Sequence, residues 1–240
     1  MNEYRPRRSL LFTPGDRARC VRKAATLATD VVIVDLEDSV HPGQKEAARQ
    51  ETGAVLAEID FGGREVALRV NAWGSAYFED DVAALACYSR KPDLVVIPKV
   101  DSSAGLLAVS DALERRGIQC GLIPCIESAA GVLAAAEIAR SAAPIAGLML
   151  GGHDLVAVLG VAYSWEALLF ARGQVLFSAV AASIDPIDTV WTDLTDEAGL
   201  AAVCGRARRL GYVGTAAIHP KQLALINDTF SPTPEEMAWA

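Results

Sequence analysis

The feature that most constrains the fold is a repeat of short apolar runs separated by longer helical segments. Eight such runs occur in the 240 residues, and Ala-rich segments with helical spacing lie between them. Apolar strands that alternate with amphipathic helices predict a parallel sheet covered on both faces. The runs are SLLFTPG (9–15), VVIVDLED (31–38), VALRVN (66–71), LVVIPKV (94–100), GLIPCIES (121–128), IAGLMLGG (145–152), DTVWTD (188–193) and GTAAIHP (214–220).

The number of repeats predicts how the sheet is closed. Eight repeats in a chain of this length predict an α/β fold of the (β/α)8 TIM barrel type, with a lengthened sixth connection. The alternative is an open, doubly wound sheet. No GxGxxG motif follows the first run, and eight strands of similar character fit closure better than a sheet with two edges. Without a linker or a break in composition, residues 1–240 are expected to form a single TIM-barrel domain.

Charge and composition exclude several classes of partner. The formal net charge is −8 with a pI near 4.9, which argues against nucleic acid or an anionic membrane as the partner. No apolar run reaches the roughly 18 residues that a membrane span needs, so a soluble, cytoplasmic protein is expected. The five cysteines are an odd number without a CxxC pair, which favours buried free thiols over a zinc site.

Two acids at the ends of neighbouring strands form the candidate metal site. In TIM barrels the chemistry lies where strands end, and Glu127 and Asp154 follow the fifth and sixth runs. Two carboxylates without a Cys or His partner at ligand spacing suit Mg²⁺, which keeps several water ligands and leaves room for substrate oxygens. The alternative is that both acids cap the helices that follow them.

Groups at four further strand ends carry open alternatives. Arg69 ends an apolar strand and needs an anion, either one of the acids after strand two or a substrate carboxylate or carbonyl. Lys99 could form a Schiff base or could pair with a nearby acid. The backbone N–H groups of Gly151 and Gly152 could approach an anionic ligand, while His153 could act as a general base or as a structural hydrogen-bonder, as could His219.

The motifs together resemble one known family over essentially the whole chain. They are RRSLLFTPGDR, VVIVDLEDSV, LRVNAWGS, VVIPKVDS, IPCIESAAGVLAAAEIA, LMLGGHDLVAVLG and AAIHPKQLALINDTFSPTPEE. In this order they resemble the β subunit of citrate lyase and its relatives, the malyl-CoA and citramalyl-CoA lyases and the malyl-CoA thioesterases. The resemblance implies a Mg²⁺-dependent barrel enzyme that cleaves the carbon–carbon bond of a 3-hydroxy-dicarboxylyl-CoA, or acts on a related acyl-CoA or small dicarboxylic acid.

The resemblance also implies roles for individual residues. Glu127 and Asp154 correspond to the metal ligands, and Arg69 to the residue that contacts the substrate and its thioester oxygen. Asp38 corresponds to an acid near the metal-bound water, and Glu37 to a partner of Arg69 or Lys99. The remaining expected contacts to substrate or coenzyme A come from Arg17, Lys23, Gly152 and His153.

The sequence departs from the family pattern at two places. Relatives continue past SPTPEE with a segment that closes over a neighbouring subunit's site, whereas this sequence stops at Ala240, and many relatives carry Glu or another residue at the position of His153. The resemblance implies a homo-oligomer, because barrels of this family are usually trimers or hexamers, and apolar residues near the end of the chain would also need cover: Leu223, Leu225, Ile226 and Phe230. Three other functions remain open: a thioesterase, a metal aldolase on free 2-keto acids, and a non-catalytic binding protein.

Overall fold

The computed structural model describes residues 5–239 and contains a closed barrel of eight parallel strands in chain order. Each strand pairs with the next, and β1 pairs with β8 to close the ring. The (β/α)8 prediction is confirmed, and the open sheet is excluded. The strands are β1 (Ser9–Pro14), β2 (Val31–Asp35), β3 (Glu65–Arg69), β4 (Leu94–Ile97), β5 (Gly121–Ile126), β6 (Gly147–Leu150), β7 (Asp185–Asp188) and β8 (Gly214–Ala217).

Helices surround the barrel, and the sixth connection contains two of them, as its length predicted. Short 3₁₀ helices at Pro42–Gln44 and Pro220–Gln222 precede α2 and α9. Across residues 5–239, none of the helices combines the length and apolarity that a membrane crossing requires. The helices are α1 (Ala18–Ala24), α2 (Lys45–Glu58), α3 (Phe78–Cys87), α4 (Ser103–Glu114), α5 (Ala129–Ala139), α6 (Gly152–Leu159), α7 (Trp165–Ala181), α8 (Glu197–Leu210), α9 (Leu223–Phe230) and α10 (Pro234–Trp239).

The strands divide their side chains between two apolar cores. Alternate residues of a strand point to opposite faces, so Val31 and Ile33 fill the barrel while Val32 and Val34 pack against the helices. Both faces are buried, which explains the continuous apolar runs in the sequence. This alternation also decides which residues at the strand ends face the mouth of the barrel.

The seventh strand lies earlier than the sequence predicted. It spans Asp185–Asp188, and residues 189–193 belong to the following loop, where Asp193 accepts hydrogen bonds from Thr195. A strand that reads Asp-Pro-Ile-Asp resembles a turn, because proline and aspartate are depleted in strands. Its two acids are tolerated because Arg7 binds Asp185 at 2.9 Å and Arg172 binds Asp188 at 3.0 Å.

The apolar residues of α9 do not need cover from another chain, contrary to the reason first given for oligomerisation. Leu223, Ile226 and Phe230 are buried within the chain, and Leu225 is half-buried. The helix packs against α8, β1 and β8, which closes the seam between the first and last repeats.

The cysteines vary in exposure more than the sequence suggested. All five are free thiols; Cys125 and Cys204 are buried, whereas Cys87 is exposed and Cys20 and Cys120 are half-buried. The expectation of buried thiols therefore holds fully for two positions only.

Candidate active site

Strand alternation brings the predicted polar residues together at the mouth of the barrel. Ile33 and Ala67 point into the barrel, so Asp35 and Arg69, two positions later on β2 and β3, point inward as well. On β5 the same relation to the inward Cys125 places Glu127 at the mouth. Asp35 and Arg69 are also direct neighbours in the register of β2 and β3.

Arg69 is held by three side chains and is nearly buried. Its Nε and Nη2 donate to the two oxygens of Asp35, each at 2.7 Å, and its Nη1 lies 3.0 Å from Oε2 of Glu37. The guanidinium also lies over the ring of Phe12, 4.8 Å from the centroid. Burial alone would raise the pKa of Asp35, but the hydrogen bonds and charge of Arg69 outweigh it and hold this pKa below its ordinary value. Arg69 can bind these acids and still contact a substrate, because its paired guanidinium lines the cavity at the mouth.

Glu37 links Arg69 to Lys99. The ammonium of Lys99 lies 2.6 Å from Oε1 of Glu37, so the acid contacts both predicted partners. Burial would lower the pKa of Lys99, but the hydrogen bond and charge of Glu37 raise it above its ordinary value. A Schiff-base lysine must lose its proton to attack a carbonyl, so this environment disfavours the aldolase chemistry left open for Lys99.

The backbone of Lys99 serves Glu127. Lys99 has a φ of 55°, in the left-handed region that a side chain other than glycine's rarely adopts. Its N–H donates to Oε1 of Glu127 at 2.6 Å. One residue therefore fixes two acids, Glu37 through its side chain and Glu127 through its main chain, and backbone strain of this kind is concentrated at functional sites.

Glu127 and Asp154 line one small cavity together with Arg69. The cavity has a volume of about 60 Å³, room for one or two water-sized groups. Burial, reinforced by the negative charges of Asp154 and Glu37, raises the pKa of Glu127 to about 8. Glu127 is not a helix cap, because the hydroxyl of Ser128 caps α5; Asp154 lies exposed in the first turn of α6. Within residues 5–239 no three His, Cys, Asp or Glu side chains converge on one point, so the protein ligands would number two.

The Gly151–Gly152 pair shapes the cavity without offering free N–H groups. The N–H of Gly151 donates to the carbonyl of Ile126 and that of Gly152 to the hydroxyl of Thr189, each at 2.9 Å. Both N–H groups have protein partners in this structure, and the expected contact between Gly152 and an anionic ligand stays a prediction. A Cβ on Gly151 would lie 2.5 Å from Oε2 of Glu127, so the missing side chain is what admits the acid.

The ring of His153 is packed at the edge of the cavity. It stacks on Tyr163 with centroids 4.5 Å apart, and its Nε2 lies 3.2 Å from the carbonyl of Val190. A carbonyl only accepts, so Nε2 carries the proton in this contact. Burial lowers the pKa of His153, which favours a neutral ring. His219 is a structural hydrogen-bonder: its Nδ1 accepts from the N–H of Lys221 and caps a 3₁₀ helix.

Two larger cavities adjoin the small one, and Phe12 lines all three. A cavity of about 360 Å³ contains Asp38 and Arg69 in its wall. The next, of about 560 Å³, has a largely apolar lining with Arg17, Arg19 and Lys23. The predicted acids Glu127 and Asp154 thus line the small cavity with Arg69. The predicted cations Arg17 and Lys23 line the outermost cavity. Asp38 is exposed and belongs to the wall, whereas Glu37 acts from behind Arg69.

The sequence predicted that an acid after strand two could bind Arg69 without saying which one. The structure shows that Asp35 is the two-pronged partner, as both residues end neighbouring parallel strands. Thr189 and Val190 line the small cavity after β7, and they were hidden by the late placement of that strand.

Comparisons with known proteins agree with the barrel fold. Residues 8–220 match the sequence model of the HpcH/HpaI aldolase/citrate lyase family. The chain is 36% identical over 241 residues to a (3S)-malyl-CoA thioesterase of Cereibacter sphaeroides, covering 100% of this chain and 82% of the relative. It is 33% identical over 255 residues to the mitochondrial citramalyl-CoA lyase of Homo sapiens, covering 100% of this chain and 75% of the relative.

Solved structures share the whole architecture. The citrate lyase beta subunit from M. tuberculosis complexed with oxaloacetate and magnesium superposes with a TM-score of 0.83 at 32% identity, over 95% of this chain and 98% of the other. Protein CitE from Mycobacterium tuberculosis, in complex with magnesium, acetoacetate and coenzyme A, gives a TM-score of 0.81 at 34% identity, over 98% of this chain and 84% of the other.

Proposed function

Because the chain belongs to the HpcH/HpaI aldolase/citrate lyase family, we propose that it is a Mg²⁺-dependent carbon–carbon lyase. Its substrate is a 3-hydroxy-dicarboxylyl-CoA thioester of the malyl-CoA or citryl-CoA type, which it cleaves to acetyl-CoA and a 2-oxo acid. The observation that carries the proposal is the convergence of Arg69, Glu127 and Asp154 on one cavity at the barrel mouth.

The residues at this cavity fit a magnesium ion. Glu127 and Asp154 supply hard oxygen donors, and the cavity has room for an ion and a coordinated group. The raised pKa of Glu127 reflects buried negative charge that a cation would compensate. When bound there, Mg²⁺ supplies a Lewis acid that orients the hydroxyl or keto oxygen of the substrate. Crystals of relatives contain magnesium together with oxaloacetate or acetoacetate.

Arg69 supplies positive charge for the thioester end. When the C–C bond breaks, its electron pair moves into the acetyl-CoA fragment and places negative charge on the thioester oxygen. A guanidinium that is already oriented by Asp35 and Glu37 stabilises that charge without reorganisation. The carbon of this fragment then takes up a proton from water, which completes acetyl-CoA.

Asp38 is our candidate for the acid that accepts the hydroxyl proton. It lines the cavity of about 360 Å³ next to Arg69 and is exposed to it, whereas Glu37 lines none of the three cavities. We assign Asp38 to proton acceptance from the substrate hydroxyl as the carbonyl of the 2-oxo acid forms. Glu37 holds Arg69 and Lys99 in place and is a positioning residue.

The outer cavity suits the coenzyme A part of the substrate. Its apolar lining offers contact to the pantetheine chain, and Arg17 and Lys23 supply charge complementary to phosphates. An acidic protein with a net charge of −8 needs such local positive groups to bind an anionic ligand. A relative with 34% identity was crystallised with coenzyme A.

A thioesterase is the second candidate, favoured by the 36% identity to a (3S)-malyl-CoA thioesterase. In that reaction water attacks the thioester carbonyl, Arg69 stabilises the charge on its oxygen, the C–S bond breaks to release the thiol of coenzyme A, and the C–C bond stays intact; Glu127 and Asp154 would hold the cation as in the lyase. Malyl-CoA separates the two functions: glyoxylate with acetyl-CoA identifies the lyase, and malate with free coenzyme A identifies the thioesterase. A metal aldolase on free 2-keto acids predicts no coenzyme A binding, and a non-catalytic protein predicts binding without product.

The decisive experiment measures products from malyl-CoA, citramalyl-CoA and citryl-CoA with Mg²⁺ or with EDTA. We compare the wild type with Glu127→Gln and, as a matched control, Glu137→Gln, which alters an exposed acid of α5. Activity should require Mg²⁺, fall by about 100-fold or more in Glu127→Gln and persist in Glu137→Gln. Activity that survives EDTA or Glu127→Gln contradicts the metal assignment. A homo-oligomer remains part of the proposal.

A further inference from the structure

Phe12 lies where the three cavities at the mouth of the barrel meet. Of residues 5–239, it is the only one that lines all three of them. Its side chain points into the barrel, because Leu10, two positions earlier on β1, belongs to the inner apolar core and Phe12 packs against that core. A substrate whose acyl end lies beside Glu127 and Asp154, and whose coenzyme A end lies in the outer cavity, has to pass this ring.

The ring of Phe12 also covers one face of the guanidinium of Arg69. The guanidinium carbon lies 4.8 Å from the ring centroid, while Asp35 and Glu37 bind the nitrogens of the same group. A flat ring at this distance leaves no room for water between the two groups, and the loss of water strengthens the attraction of the cation to the ring. A substrate oxygen that binds Arg69 from the cavity therefore lies beside an apolar surface.

The two reactions proposed for this site start from the same substrate and place charge on the same thioester oxygen. In the lyase the electron pair of the C–C bond moves into the acetyl-CoA fragment, whereas in the thioesterase water forms a bond to the thioester carbon and the C–S bond breaks. The cavity of about 360 Å³, which we call the middle cavity, contains Asp38, an acid that could accept a proton from water as well as from a hydroxyl. The access of water to the thioester carbon therefore decides which products form.

From this arrangement we infer that Phe12 is a specificity-determining residue, whose ring covers the thioester carbon, keeps water from it and directs the site to C–C cleavage. The inference rests on the lyase proposed above. A thioester is planar and water attacks it from one of its two faces, so a flat aromatic ring can block a whole face. The other apolar residues that line the middle cavity, Pro14, Val190 and Ile218, have no aromatic ring.

The ratio of products from malyl-CoA tests the inference, because it does not depend on the fraction of active enzyme. Malate with free coenzyme A is measured against glyoxylate with acetyl-CoA for the wild type, Phe12→Ala and Phe12→Leu, with Mg²⁺ and in isotopically labelled water. The ratio of hydrolysis to cleavage should rise by about tenfold or more in Phe12→Ala and by less in Phe12→Leu, with the label in the malate. Thermal melting verifies the fold of each variant, and Phe12→Leu provides the test if the alanine variant does not fold.

Ile218→Ala is the matched control. Ile218 lines the middle and outer cavities but not the small one, so the change widens the path of the substrate and leaves the ring on Arg69 in place. It should raise KM and leave the product ratio unchanged.

Two results overturn the inference and leave the lyase proposal intact. One is a wild-type lyase whose product ratio stays the same in the folded Phe12 variants, because equal losses of both reactions would mean that the ring only holds Arg69. The other is an equal rise of the ratio in Ile218→Ala. A wild type that releases only malate and free coenzyme A, or no product, contradicts the lyase proposal and the inference with it.

Discussion

The guanidinium of Arg69 donates two hydrogen bonds of 2.7 Å to the two carboxylate oxygens of Asp35, its neighbour in the barrel register. Asp35 also accepts from the N–H groups of Glu37 and Ser39, at 2.9 and 3.1 Å. Asp35 therefore orients both the guanidinium of Arg69 and the loop that contains Glu37 and Asp38. Asp35→Asn keeps the shape and removes the charge.

For Asp35→Asn we expect kcat to fall by about tenfold to 100-fold and stability to fall by roughly 3–5 kcal/mol, because Arg69 loses a buried partner. Since the pKa of Asp35 is held below its ordinary value, its contribution is complete above pH of about 4 and is lost as the pH falls through the folded pKa. Urea unfolding between pH 3 and pH 7 should show this loss in the wild type and not in the variant. An acid dependence that is equal in both proteins would contradict the pairing.

At position 99 we expect glycine to destabilise the protein less than alanine does. Both substitutions remove the ammonium that binds Glu37, but only glycine relieves the left-handed backbone at φ 55°. We expect Lys99→Gly to be about 1 kcal/mol more stable than Lys99→Ala in urea unfolding. Lys99→Gly should also keep magnesium affinity close to the wild type, since its N–H still donates to Glu127. An alanine variant that is the more stable would show that the backbone there carries no strain.

The barrel and much of the site could be predicted because apolar periodicity reports strands directly. The residues at the predicted strand ends include Glu127, Asp154 and Arg69, which converge in the structure. Glu37 was expected to bind Arg69 or Lys99, and it binds both. The positive φ of Lys99 could not be predicted from the sequence, because lysine is not a residue type that favours it. β7 was placed too late because Asp185 and Pro186 are residue types depleted in strands, and the ion pair between Asp185 and Arg7 that offsets this exists only in the folded chain.

Magnesium binding should depend steeply on pH. With a pKa of about 8 in the metal-free protein, Glu127 carries a proton at neutral pH that a cation must displace. Affinity should weaken by about tenfold for each pH unit below 8 and level off above it. Calorimetry in buffers of different ionisation enthalpy should detect close to one proton released per ion at pH 6.5 and few above pH 9. Affinity that is constant from pH 6 to pH 8 would refute the assignment of Glu127.

Arg172 of α7 and Asp188, the last residue of β7, form a fully buried ion pair. Nε of Arg172 donates to both oxygens of Asp188, and its guanidinium lies 4.2 Å from the ring centroid of Trp165. Arg172→Leu should cost about 3–5 kcal/mol because it leaves Asp188 as an uncompensated buried charge. The double variant with Asp188→Leu should cost less than the sum of the single changes, since neither charge then remains unpaired. Urea unfolding of the four proteins measures this coupling, and costs that simply add would show that the two groups do not stabilise each other.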